Sequence, residues 1–134
     1  MASDFLAREI TDADKELARS WWYAHSEEEF PENLLPPVGV MIECDGQPVA
    51  ACWLYMAVGV GVCWLEFPVS LPGLSLPRIR GAFAYAVKTL EAVALAHDYG
   101  VMMAHTLPPI ARTLRGLGFR AEERHKVTMA KLLR

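Results

Sequence analysis

No basic stripe runs through these 134 residues: 13 lysines and arginines stand against 16 acids, for a net charge of −3. Without a massed positive face the electrostatic footprint of a nucleic-acid binder is missing, and no such partner is expected. Charge is sparse altogether, at 22% of residues, whereas 53% are hydrophobic. That balance excludes a disordered chain and lies slightly to the apolar side of an ordinary globular one. A buried sheet or a sticky oligomer face, such as that of a homodimer, would account for the surplus. Cysteine is scarce and unpatterned. Cys44, Cys52 and Cys63 are odd in number and show no CxxC spacing, which excludes a disulfide framework or a zinc knuckle and predicts free, buried thiols in a reducing compartment. The segment MASDFLAREI carries charges where a signal peptide needs an apolar core, so a cytoplasmic protein is expected. Repeats and low-complexity segments are lacking too, and residues 1–134 are read as one domain.

One long apolar run needs a decision. Pro48 to Leu65 is eighteen residues without a charge, the length at which a membrane-spanning helix becomes a candidate. It follows Asp45-Gly46, a strong hairpin signal, and contains Val58, Val60 and Val62 alternating with Gly59 and Gly61, so it divides into two strands and no membrane partner is expected.

In chain order, Phe5–Ile10 alternates as a short strand, and Thr11 with Asp14 three residues on forms a capping pattern for a helix over Asp12–His25. Leu17, Ala18, Trp21 and Trp22 fall on one face of that helix and either pack it onto a sheet or, through the tryptophan pair, wall a ligand pocket. The acids Glu27, Glu28, Glu29 and Glu32 follow; they form either a solvated face or an attraction for a cationic substrate such as a primary amine. Val38–Cys44 and Gln47–Met56 make the Asp45-Gly46 hairpin, and Val62–Ser70 reads as a central strand covered on both faces. Its one charge, Glu66, either reaches solvent or an arginine, or is held where desolvation raises its pKa toward that of a general base.

The stretch from Val62 to Glu91 joins this strand through a loop to a long helix capped by Ser75 and ending near Asp98-Tyr99-Gly100, with Gly100 as the left-handed residue. Arg78 and Arg80 fall in the first turn, where a cation is unfavourable by roughly 0.3–1 kcal/mol. Either both point into water, or together with the N–H groups around Gly81 they hold a phosphate or pyrophosphate. Val101–Ala104 is a short strand reached by a right-handed crossover, which puts His105 and Thr106 at the carboxyl end of a parallel pair, where open α/β sheets place ligands. His105 is either exposed and structural, or catalytic. Thr106 is expected to cap a helix entered through Pro108-Pro109 and closed by Gly118-Phe119, and a last strand is expected over 127–133.

This order of elements resembles the GNAT N-acetyltransferase superfamily over nearly the full length. The anchors are Thr11–Asp14, the Asp45-Gly46 hairpin, Arg78-Ile79-Arg80-Gly81-Ala82 and Leu117-Gly118-Phe119. The resemblance implies an α/β (α+β) fold: a single mixed, mostly antiparallel sheet of about six to seven strands flanked by three to four helices. It also implies acetyl-CoA as co-substrate, its pyrophosphate held by Arg78, Ile79, Arg80, Gly81 and Ala82, its acyl end lying where the strands splay, beside Phe67 and Val69. A backbone N–H near Val69 would polarise the thioester carbonyl, and Glu66 through a water, or His105, would take the proton of an attacking primary amine on a small molecule or protein. Two positions depart from the family pattern. Phe83 stands at the last small position of the loop, and Leu114 stands where members often carry a proton-donating tyrosine, leaving water, Tyr85 or His105 for that role. The alternative is a catalytically degenerate GNAT-like binding or assembly module, as in small phage-associated proteins.

Overall fold

The computed structural model describes residues 4–121 and 129–133. Strand β1 (Phe5–Glu9) leads into helix α1 (Asp12–His25), a single 3-10 turn over Glu32–Leu34, and three strands, β2 (Val38–Cys44), β3 (Gln47–Met56) and β4 (Val62–Ser70). Helix α2 (Leu76–Ala96), strand β5 (Val101–Ala104) and helix α3 (Pro108–Gly116) follow. The sheet order is β1-β2-β3-β4-β5, antiparallel throughout except for the parallel β4–β5 pair. The described residues thus hold five strands rather than six to seven. Of the last strand expected at 127–133, residues 127 and 128 lie outside the described residues, and Met129 to Leu133 form no strand.

Local chemistry fixes the elements. Thr11 Oγ1 accepts from the Asp14 N–H at 3.2 Å while the Asp14 carboxylate accepts from the Thr11 N–H at 2.8 Å, a reciprocal cap that starts α1. The same carboxylate is held by the Arg8 guanidinium of β1, whose Nε also donates to Glu43 of β2 at 2.8 Å, so one arginine ties the helix start to two strands. Asp45 and Gly46, at φ 52° and 83°, supply the two left-handed residues that a two-residue hairpin needs, and Cys44 pairs directly with Gln47. At the end of α2 it is Asp98, at φ 63°, that turns left-handed rather than Gly100, and Tyr99 N–H closes back on the Ala94 carbonyl at 3.0 Å. The N-cap of α3 is Leu107, not Thr106, and Pro108 opens its first turn.

The apolar run 48–65 is divided between β3 and β4, and among the described residues no helix is long and apolar enough to cross a membrane. The strand with both faces covered is β3, where Val49 to Leu54 are all buried. On one face α2 and α3 pack Phe83, Ala86, Leu90 and Leu114 against Ile42, Leu54 and Cys63. On the other, α1 packs Ala18 and Trp21 against Met41, Trp53 and Val69. β4, one strand nearer the edge, is only partly buried over Glu66, Phe67 and Pro68. The site is there.

Candidate active site

β4 outruns its parallel partner. Pairing with β5 stops at Leu65–Ala104, while β4 continues to Ser70 along β3. In the same place β4 carries an extra residue: Glu66 and Val69 stand opposite Trp53 and Ala51, so Phe67 and Pro68 together face Cys52 as a bulge. Phe67 has φ 53°, a left-handed conformation that costs a residue with a Cβ on the order of 1 kcal/mol or more and that concentrates at functional sites. Its ring lies edge-on to Trp22 of α1, centroids 6.5 Å apart. Beyond the bulge the backbone direction is set by Leu71, whose N–H donates to the Val49 carbonyl at 2.9 Å. Antiparallel alternation then directs Val69 toward Ala51, and Ser70 away from β3. The Ser70 carbonyl is accordingly found bonded to His25 Nε2 of α1, at 2.9 Å. Val69 therefore has its N–H turned into the sheet, beside the opening left between β4 and β5 where their pairing stops.

Below that opening lies a cavity of about 300 Å³ lined by Leu34, Pro36, Tyr55, Trp64 and Phe67, with Glu66 and His105 as its ionisable groups. Glu66 projects into it from the last residue before the bulge, and His105 is the first residue after β5, so the point where the two strands part brings both together. Burial pushes the Glu66 carboxyl above its ordinary value, and the charge on His105 pulls it partly back. Tyr55 and Trp64 face each other across β3 and β4 with centroids 5.8 Å apart and form an aromatic wall. Neither stood out in the sequence, because the Ala57–Gly61 connection fixes no register and the cross-strand pairing could not be read. One of the candidate proton donors is elsewhere: Tyr85 lies against Phe5 of β1, at the opposite edge of the sheet from His105. Leu114, at the position where members often carry a tyrosine, is buried in the α2–α3 core.

The start of α2 differs from a cradle centred on Gly81. The helix already begins at Leu76, and the Ile79 N–H donates to the Ser75 carbonyl at 3.0 Å. Ile79, Gly81 and Ala82 thus have their N–H groups inside the helix, and the free donors are those of Leu76 and Arg78, since Ser75 makes no side-chain cap. Arg78 and Arg80 are exposed and make no ion pair among the described residues. Gly81 is small for another reason: a Cβ there would stand 3.0 and 3.1 Å from Cε2 and Cζ of Phe5. Ala82 and Phe83 are buried in the core, so the Phe83 ring does not stand in the opening. Free N–H groups, two arginines and an open splay between strands form a set that fits a diphosphate joined to an extended tail.

No protein-family model and no curated protein matches the sequence. Solved structures do match. The aminoglycoside N-acetyltransferase AAC(6')-Iy, in complex with CoA, aligns with a TM-score of 0.66 at 18% identity over 98% of each chain. An acetyltransferase of the GNAT family from Streptococcus pneumoniae aligns at 0.66 and 15% identity, over 99% of this chain and 98% of its own. The chain has the GNAT acetyltransferase fold. A transcriptional regulator from Bacillus halodurans aligns at 0.70 and 16% identity, over 96% of this chain and all of its own. In this GNAT fold, the cavity of Glu66 and His105 lies beside the β4 bulge and the end of the Leu65–Ala104 pairing.

Proposed function

We propose that the protein is an acyl-CoA-dependent N-acetyltransferase acting on a primary amine, with acetyl-CoA as co-substrate. The observation that carries this is the meeting of Glu66 and His105 in one cavity at the point where β4 and β5 part. Acetyl-CoA supplies an activated acyl carbon, and the chain's own groups position and deprotonate the nucleophile. A backbone N–H at the β4 bulge donates toward the thioester oxygen, where negative charge develops as the amine attacks. Glu66 accepts the ammonium proton, directly or through a water; its desolvation makes it a better base than an exposed carboxylate. Arg78, Arg80 and the N–H groups of Leu76 and Arg78 hold the diphosphate at the start of α2. With Leu114 in the core, His105 is the side chain left to protonate the departing thiolate.

Release of free CoA thiol from acetyl-CoA, measured over a panel of amines, tests the reading. Glu66→Gln is expected to lower kcat/KM by roughly 10²-fold or more, and the acidic limb of the wild-type pH profile should fall above the ordinary glutamate range, because activity needs the ionised form of a carboxyl whose pKa is raised. Thiol release that Glu66→Gln and His105→Ala leave unchanged would refute this assignment. Leu114 supports a second reading, a non-catalytic module, since α3 offers no acid to the site. CoA that binds without any amine-dependent thiol release would favour it.

A further inference from the structure

We infer that the acceptor is a small, singly charged amine carried on an aromatic or bulky apolar body, rather than a polyamine or an aminoglycoside; this rests on reading the Glu66 cavity as the acceptor site. Among the described residues Glu66 is the single carboxylate that lines it. Glu32, the nearest acid in sequence to the lining residue Leu34, is already occupied by Arg19 at 3.0 Å. A second or third ammonium group on the acceptor would therefore find no carboxylate partner among the described lining residues, and it would gain nothing from them over water. The walls themselves suit a ring. Tyr55 and Trp64 are tilted by 57° at 5.8 Å, leaving aromatic faces beside the carboxylate, where an ammonium group also gains from the ring quadrupole. A volume of about 300 Å³ lies at the small end of ligand pockets, matching a body the size of phenethylamine better than a trisaccharide.

The test compares phenethylamine, spermidine, kanamycin and a short peptide with a free amino terminus as acceptors, alongside saturation-transfer NMR of phenethylamine with the full chain in the absence of CoA. Phenethylamine should be preferred over each of the others by roughly tenfold or more in kcat/KM, the scale on which apolar pockets discriminate. Trp64→Leu, and Tyr55→Leu at a half-exposed position where folding is unaffected, should erase most of that preference and the NMR signal. Phenethylamine binding that depends on Trp64, with no acetylation of any amine, would support the inferred ligand class while overturning the transferase reading. Faster acetylation of spermidine, kanamycin or the peptide would overturn the inference and leave the transferase reading standing. Absence of both binding and turnover would overturn both.

Discussion

Replacing Gly81 with alanine sets two effects of similar size against each other. Gly81 is the sixth residue of α2, an interior helical position where alanine is favoured over glycine by about 1 kcal/mol. Against this, the new methyl would meet the Phe5 ring at 3.0 and 3.1 Å, short of an ordinary carbon–carbon contact by about half an ångström. Overpacking in a rigid core costs about 1–3 kcal/mol, but Phe5 is on an edge strand, only partly buried, and it is the far side of its ring that must yield. The lower end of that range applies, and Gly81→Ala alone should change stability by less than about 0.5 kcal/mol. In a Phe5→Leu background the ring atoms are gone, and the same substitution should recover the full helix gain of about 1 kcal/mol, or about 4 °C in Tm for a chain of this size. Four denaturant titrations close the double-mutant cycle. A coupling smaller than about 0.3 kcal/mol, the ordinary scatter of additivity, would refute the idea that Phe5 sets the size of residue 81. A loss of CoA binding in Gly81→Ala would instead assign that glycine to the diphosphate.

Replacing both Arg78 and Arg80 with alanine should weaken the rise in Tm that saturating CoA gives, about 2.7 kcal/mol at a hundredfold excess over Kd. The unliganded protein should hold its stability or gain roughly 0.3–1 kcal/mol per arginine removed; a CoA-dependent shift indifferent to both would refute the cradle. Asp14→Ala removes the reciprocal cap and the Arg8 contact and should cost about 1–3 kcal/mol at neutral pH, as read by urea unfolding. Because Arg8 and the Thr11 cap hold the Asp14 carboxyl below its ordinary value, that contribution is present above the usual aspartate pKa and lost as pH falls through the lowered one, so the gap between wild type and variant must close in acid. Cys44, Cys52 and Cys63 are all buried, and burial pushes the Cys52 thiol up to about 12, so native thiols should react slowly with Ellman's reagent and all three promptly in denaturant. Rapid stoichiometric labelling of the native protein would contradict this.

Much of the fold was legible because local signals and period agreed. The Thr11–Asp14 cap, the Asp45-Gly46 turn and the Gly118-Phe119 closure each impose one backbone geometry, and the helices and strands they bound fall where the periodicity placed them. The left-handed residue at the end of α2 was misread because glycine is the usual choice there and Asp98, two residues earlier, tolerates the same conformation. Which strand sits at the centre was misread for a different reason. Continuous apolar character occurs in both β3 and β4, and only the pairing order shows that, among the described residues, β3 lies in the middle and β4 gives up part of its cover at the bulge.

The site was legible as residue types and illegible as directions. Glu66 and His105 are unusual by kind, a charge in an apolar strand and an imidazole at a strand end, and kind survives in a sequence. Which backbone N–H faces the opening does not. It depends on a single extra residue in β4, which shifts the register by one and turns the Val69 N–H into the sheet. Pro68 suits this placement in one respect: it has no N–H to lose at a bulge. The same limit applies at α2, where a glycine that looks like room for a ligand is room for Phe5, a residue 76 positions away in the chain that only the folded β1–α2 contact brings near. Phe83 inverts the case: an apparent obstruction by its place in the loop motif, it is a core residue because the helix starts early enough to turn it onto the sheet. Each of these assignments turns on one residue of register, and in a sheet a shift of one residue exchanges the faces.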